Sequence, residues 1–271
     1  MVDSKTQDKV QLTVATVSMN AKTDTKANLK TFISYMKKAS KKGAHLIVFP
    51  EISLQQNPGW GTNAYQPTVE ELTYLSETAE SIPGKSSKEM IDAARRLNIF
   101  VVFGMTEKSI DGKLYNSSVF LGPDGIIGKY RKKHLWDMET GGNEHLCWLR
   151  GTDNGVFDSP LGKVGLMICI EMWYNLGLKL ADDGADFLVT ISAWPSSGGR
   201  EFEDVSIRNA LGSGRWHVVS NQVGSVGHAV DYGHSRIVTP SGVVVVDTGE
   251  SEGIVIAKTD VLIGADIYKR S

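Results

Sequence analysis

A chain of 271 residues with 41% hydrophobic and 22% charged residues has ordinary globular composition and enough apolar mass for a sizeable core. A formal net charge of -2 gives no electrostatic reason to expect nucleic acid or an anionic membrane as partner, so a small molecule is the expected one. The first twelve residues lack the basic flank and apolar heart of a signal peptide, and no run reaches the roughly 18 apolar residues that span a bilayer, which predicts a cytosolic protein.

In chain order, residues 10–18 (VQLTVATVS) read as a strand, 27–43 as an amphipathic helix closed by Gly43, and 45–50 (HLIVFP) as a buried strand stopped by Pro50. Residues 86–98 read as a second helix with Ser86 or Ser87 as N-cap, running into the strand at 99–105. Turn signals at Asp111-Gly112 and at residues 122–125 then separate strand-like runs into antiparallel hairpins. The tail repeats that character, with one turn at Pro240, Ser241 and Gly242 and another at 249–253. Helices interleaved with strands, plus hairpins, predict an α/β fold of two packed sheets covered outside by helices.

Three reactive groups follow apolar runs: Glu51 after HLIVFP, Lys132 within GKYRKKHL, and Cys169 after VGLMI. Strand alternation puts Tyr130, Lys132 and His134 on one face and Lys129, Arg131 and Lys133 on the other. The face with the aromatic is the inner one, which singles out Lys132 and predicts solvated side chains for the other three. Glu144, in the Gly- and aromatic-rich stretch 141–151, is a fourth candidate.

A thiol, a carboxylate and an ammonium suffice for acyl transfer: Cys169 attacks, Glu51 shuttles the proton and Lys132 holds the oxyanion, with the Ile170 N–H as second donor. Lys132 is also expected to favour the thiolate. Cys147 and Cys169 are read as free thiols in a reducing compartment. Taken alone, Cys169 better fits a buried inert thiol, Glu51 a solvated strand end, and Trp173 and Trp194 core or interface aromatics; the companion motifs reverse this for Cys169 and Glu51. A papain-like pair of Cys169 with His217 stays open on spacing, whereas the six histidines show no zinc pattern.

At these residues the chain resembles the carbon-nitrogen hydrolase (nitrilase) superfamily. The matching pieces occur in the family's order over nearly the whole chain: VFPE ending at Glu51, GKYRKKHL around Lys132, Glu144 to Gly151, GLMICIE around Cys169, GADFLVTISAWP, and GHSRIVTPSG. The resemblance implies a four-layer αββα sandwich with two mixed sheets, one domain over residues 1–271, no metal or organic cofactor, and a homodimer or higher homo-oligomer. It implies catalytic roles for Glu51, Lys132, Cys169 and Glu144. Ile170, Glu171, Trp173, Trp194 and Trp60 are expected at the substrate.

The sequence departs from the family pattern at 52–61 (ISLQQNPGWG), where Trp60 or Tyr65 takes the place of a family tyrosine. It departs again at Asn209, Gly212 and Ser213, which replace the Arg, Glu and Asn of a family helix. Length favours an amidase or carbamoylase, and Glu171 after the cysteine leaves a nitrilase open. The expected function is cleavage of a small carboxamide or N-carbamoyl compound through a thioester. A nitrilase, or a catalytically silent small-molecule binding protein, is the alternative.

Overall fold

Apolar alternation begins a mixed six-stranded sheet at β1 (Lys9–Ser18), which pairs in parallel with β2 (Leu46–Val48). The computed structural model describes residues 9–58, 66–137, 142–226 and 229–264. The sheet continues through β3 (Phe100–Lys108), β4 (Leu114–Gly122) and β5 (Gly125–Arg131), the last two added as antiparallel hairpins. A second six-stranded sheet holds β6 (Val156–Phe157), β7 (Val164–Ile168), β8 (Phe187–Ser192), β9 (His217–Asn221), β12 (Arg236–Val238) and β13 (Val244–Asp247). A separate hairpin pairs β10 (Val223–Val226) with β11 (Ala229–Tyr232). The closing strand β14 (Gly253–Leu262) returns to the first sheet, antiparallel to β1 along ten residues.

Helices α1 (Thr25–Lys41) and α3 (Lys85–Leu97) cover the first sheet. Their buried Phe32, Met36 and Met90 pack with Ile47, Phe49, Val101 and Phe103, and the Phe32 and Phe49 rings stack at 4.4 Å. A full phenylalanine burial contributes about 1.5–3 kcal/mol. Between the sheets, Val14, Leu46, Val48 and Val102 join Leu166, Ile168, Val189 and Ile191 in a cluster that continues to Phe202 and Val205 of α5 (Gly199–Ser213). With α4 (Leu176–Asp182) packed on α5, the layers are helix, sheet, sheet, helix. Buried hydroxyls stitch the sheets together: Thr16 Oγ1 donates to Val219 O at 2.8 Å and Ser220 Oγ to Val17 O at 2.7 Å.

Two local details differ from the sequence reading. The N-cap of α3 is Gly84, not Ser86 or Ser87; Ser87 Oγ reaches back to accept the Gly84 N–H at 2.8 Å, and the Glu80 carboxylate accepts from Ser86 N at 2.7 Å. A helix not anticipated, α2 (Val69–Thr78), opens with a Thr68–Glu71 capping box. No described helix is long and apolar enough to cross a membrane.

Candidate active site

Glu51 enters the site because the chain turns sharply after β2, with Ile52 in the left-handed region at φ 44°. Gly104 of β3 makes room: a Cβ there would lie 2.5 Å from Ile52 N and 2.6 Å from Glu51 Cα, backbone atoms that cannot swing away. Fully buried, the Glu51 carboxylate accepts from Asn116 Nδ2 (2.7 Å), Lys132 Nζ (2.8 Å) and Ala193 N (2.9 Å). These donors come from both sheets, so the carboxylate sits at their junction.

Lys132 lies one residue beyond β5, next but one to the buried Tyr130, as alternation requires. Its ammonium donates to Glu51 Oε1 at 2.8 Å and to Glu144 Oε1 at 2.7 Å, with no solvent exposure at either Lys132 or Glu51. Burial alone lowers a lysine pKa, but the charges of Glu144 and Glu51 outweigh it, and the ammonium is held above its ordinary range. The outward face of the run is less solvated than expected. Lys129 and Arg131 both pair with the buried Glu107 carboxylate, which burial would raise but whose hydrogen bonds from Arg131, Lys129 and Ser117 hold at about 2.

Glu144 is buried at the start of a short 3₁₀ turn, Glu144–Leu146. Its Oε2 accepts from Trp136 N at 2.8 Å, and its own N–H donates to Trp136 O at 2.9 Å. Burial pushes its carboxyl up to about 7, with Lys132 opposing and Glu51 adding to the rise.

Cys169 follows β7 directly and starts the 3₁₀ segment Cys169–Tyr174. Its φ of 50° is left-handed, a conformation of order 1–3 kcal/mol for a side chain other than glycine, and one that collects at functional sites. Burial and the Glu51 charge raise its thiol well above the ordinary value, outweighing the opposing Lys132. Lys132 thus acts in the expected direction, toward the thiolate, but burial and Glu51 together outweigh it.

A cavity of about 620 Å³ opens onto Cys169. Ile170, Trp173 and Trp194, expected at the substrate, line it, and Trp136, Tyr174 and Glu201 line it without having been anticipated. Trp60 and Tyr65 lie outside the described residues. Glu171, expected at the substrate, does not line this cavity. It is fully buried and accepts from Tyr130 Oη, Lys133 N and His134 N on Oε1 and from Ile168 N on Oε2. His217 is likewise no partner for Cys169, since its ring bonds Thr190 Oγ1 at 2.7 Å and Ser206 O at 2.9 Å while burial lowers its pKa to about 4.

Asn116 also escaped the sequence reading, although a polar side chain inside the strand KLYNSSVFL was the signal available. Asn209, where the family pattern is broken, instead ties α5 to the segment after the nucleophile: Nδ2 donates to Met172 O at 2.8 Å and Oδ1 accepts from Gly177 N at 3.0 Å.

The chain, folded as two facing mixed sheets with outer helices, matches known proteins along nearly its whole length. The carbon-nitrogen hydrolase family model matches residues 13–268, and the chain belongs to that family. It is 31% identical over 251 residues to omega-amidase NIT2-A of Xenopus laevis, covering 90% of this chain and 86% of that protein. Omega-amidase NIT2 of Homo sapiens is 29% identical with the same coverage. Among solved structures, Saccharomyces cerevisiae Nit3, a nitrilase-superfamily member, superposes with a TM-score of 0.80 at 24% identity, covering 95% of this chain and 92% of that one. An amidase from Nesterenkonia sp. superposes with a TM-score of 0.76 at 18% identity, covering 92% and 90%.

Proposed function

We propose that this protein hydrolyses a small carboxamide or N-carbamoyl compound through a thioester on Cys169. One observation carries the reading: the Lys132 ammonium, shared by Glu51 and Glu144, is buried beside a strained cysteine that opens onto a cavity. The omega-amidase and amidase relatives support it and weigh against the nitrilase alternative.

In this mechanism the Glu51 carboxylate takes the proton from Cys169 Sγ as the sulfur attacks the substrate carbonyl carbon. An ammonium has three N–H donors; with two on Glu51 and Glu144, the third N–H of Lys132 is available to the oxyanion, alongside the Ile170 N–H. Glu51 then passes its proton to the leaving nitrogen, and ammonia or an amine departs, leaving the thioester. Water gives a proton to Glu51 as it attacks the thioester carbonyl. Collapse expels sulfur, which recovers the proton, and releases the carboxylic acid. Glu144 holds Lys132 in place through Oε1 while its Oε2 is fixed by the Trp136 N–H. General-base assistance contributes about 10²–10⁴-fold and an oxyanion donor about 10²–10³-fold.

The same reading makes residues 1–271 one hydrolase domain working in a reducing cytoplasm, where Cys147 and Cys169 are free thiols. It also makes the protein a homodimer or higher homo-oligomer, for which exposed Leu178 of α4 and Leu211 of α5 supply apolar surface. Light scattering that gives a monomer at micromolar concentration would remove the dimer.

The activity is tested by ammonia release from matched amide and nitrile pairs, with wild type and Cys169→Ala. Ammonia from amides with wild type only supports the reading. Turnover of nitriles but not amides, or ammonia from the alanine variant, overturns it.

A further inference from the structure

The proposed mechanism requires Cys169 and Lys132 to keep a fixed separation, yet they sit on different sheets. Cys169 follows β7 of the second sheet, and Lys132 follows β5 of the first. Something must lock one strand end to the other.

Glu171 bridges that seam. Its Oε1 accepts from Tyr130 Oη (2.7 Å), Lys133 N (2.8 Å) and His134 N (3.1 Å), donors that bracket Lys132 in sequence. Its Oε2 accepts from Ile168 N at 2.7 Å, the peptide immediately before Cys169. The carboxylate thus grips the residues on both sides of Lys132 and the residue that leads into the strained turn. The His134 and Tyr174 rings stack across the same seam at 4.6 Å, and the Asn209 amide holds Met172 O from behind.

Both oxygens meet only N–H and O–H donors, so the site is built for a carboxylate and not for an amide. Glutamine would place an NH₂ group against at least one donor, leaving buried N–H groups opposed. Burial raises the Glu171 carboxyl, while Tyr130 and the three backbone amides act to lower it.

We infer that Glu171 is a positioning residue that sets the nucleophile turn at Cys169 against the Lys132 segment, touching neither substrate nor reacting atoms. The inference rests on the roles given above to Cys169 and Lys132, and it replaces the substrate contact expected for Glu171 from sequence.

The test compares Glu171→Gln, Tyr130→Phe and the double variant with wild type. Amide turnover is measured together with the rate at which iodoacetamide alkylates Cys169, read by peptide mass. Misplacing reacting groups by about 1 Å costs on the order of 10²-fold. Glu171→Gln is expected to lower kcat about 10–100-fold with KM within about threefold, and to slow Cys169 alkylation about tenfold, because the thiol is no longer held against its base. Tyr130→Phe is expected to give a smaller loss of the same kind, and the double variant a loss less than the product of the two. A folded Glu171→Gln protein with alkylation and kcat within twofold of wild type overturns the inference. So does a rise in KM at constant kcat, which restores the substrate contact. If the glutamine variant does not fold, Tyr130→Phe decides by the same readouts. Alkylation is read without turnover, so absence of amidase activity in wild type strikes the proposed function and leaves the positioning role separately measured.

Discussion

The Lys132 ammonium lies 2.8 Å from Glu51 Oε1, and neither side chain reaches solvent. With Glu144 Oε1 at 2.7 Å on its other side, one cation is shared by two buried carboxyls. Lys132→Met keeps volume but leaves both without their partner. Folding stability is expected to fall by about 3–5 kcal/mol, as when one partner of a buried pair is removed. Urea unfolding measures this; a loss below about 1 kcal/mol would show that the cluster reorganises without its lysine.

Burial and the Glu51 charge raise the Cys169 thiol well above its ordinary value, and in the proposed mechanism Glu51 removes its proton. Glu51→Gln preserves shape and is expected to lower kcat about 10²–10⁴-fold. Steady-state amide hydrolysis gives the number, and a variant within tenfold of wild type would show that another group takes the proton.

Gly104 is a steric requirement for Glu51, since a Cβ there would meet the backbone of Glu51 and Ile52. Gly104→Ala must push the turn away from β3. It is expected to cost about 1–3 kcal/mol of stability, the usual range for overpacking, and to reduce turnover with it. Thermal unfolding and activity measured together check this, and unchanged values for both would mean the turn shifts freely.

Asp231 of β11 is buried, and neither carboxylate oxygen has a hydrogen-bond partner among the described residues. Burial, helped by the Glu51 charge, raises its carboxyl from 3.8 to about 8. The folded state then keeps a proton that the unfolded state releases above pH 3.8, so stability falls as pH rises from about 4 to about 8. By pH 7 the cost is of order 4 kcal/mol at most. Asp231→Asn is expected to gain stability between pH 5 and pH 8 relative to wild type, most at the upper end. Denaturant unfolding at both pH values reads the difference, and parallel pH profiles for the two proteins would contradict the assignment.

Where local pattern decides structure, the sequence was legible. Period-two alternation put Lys132 on the face of Tyr130, and turn residues placed the hairpins around β4 and β5. Long-range pairing was less accessible. Nothing near Gly253 signals that β14 leaves the sheet of β13 to pair with β1, because that choice is made by partners more than 200 residues away in the chain. The start of α3 was misplaced because its capping acceptors come from Glu80 and from Ser87 reaching back to Gly84. Helix α2 was missed although Thr68 and Glu71 carry a capping signal. Motif order singled out Glu51, Lys132, Glu144 and Cys169, whose burial and close packing were not legible. The upward push of burial on the Cys169 thiol, and the turning of the Glu171 carboxylate onto backbone amides and Tyr130, depend on burial and packing, which residue spacing does not report.

The most direct measurement is the intact mass of the protein quenched during turnover of a small carboxamide, for wild type, Cys147→Ala and Cys169→Ala. The account predicts an acyl increment on wild type and Cys147→Ala and none on Cys169→Ala, with peptide mapping to Cys169. An increment that survives in Cys169→Ala, or amide turnover by that variant, would contradict the thioester at the centre of this account.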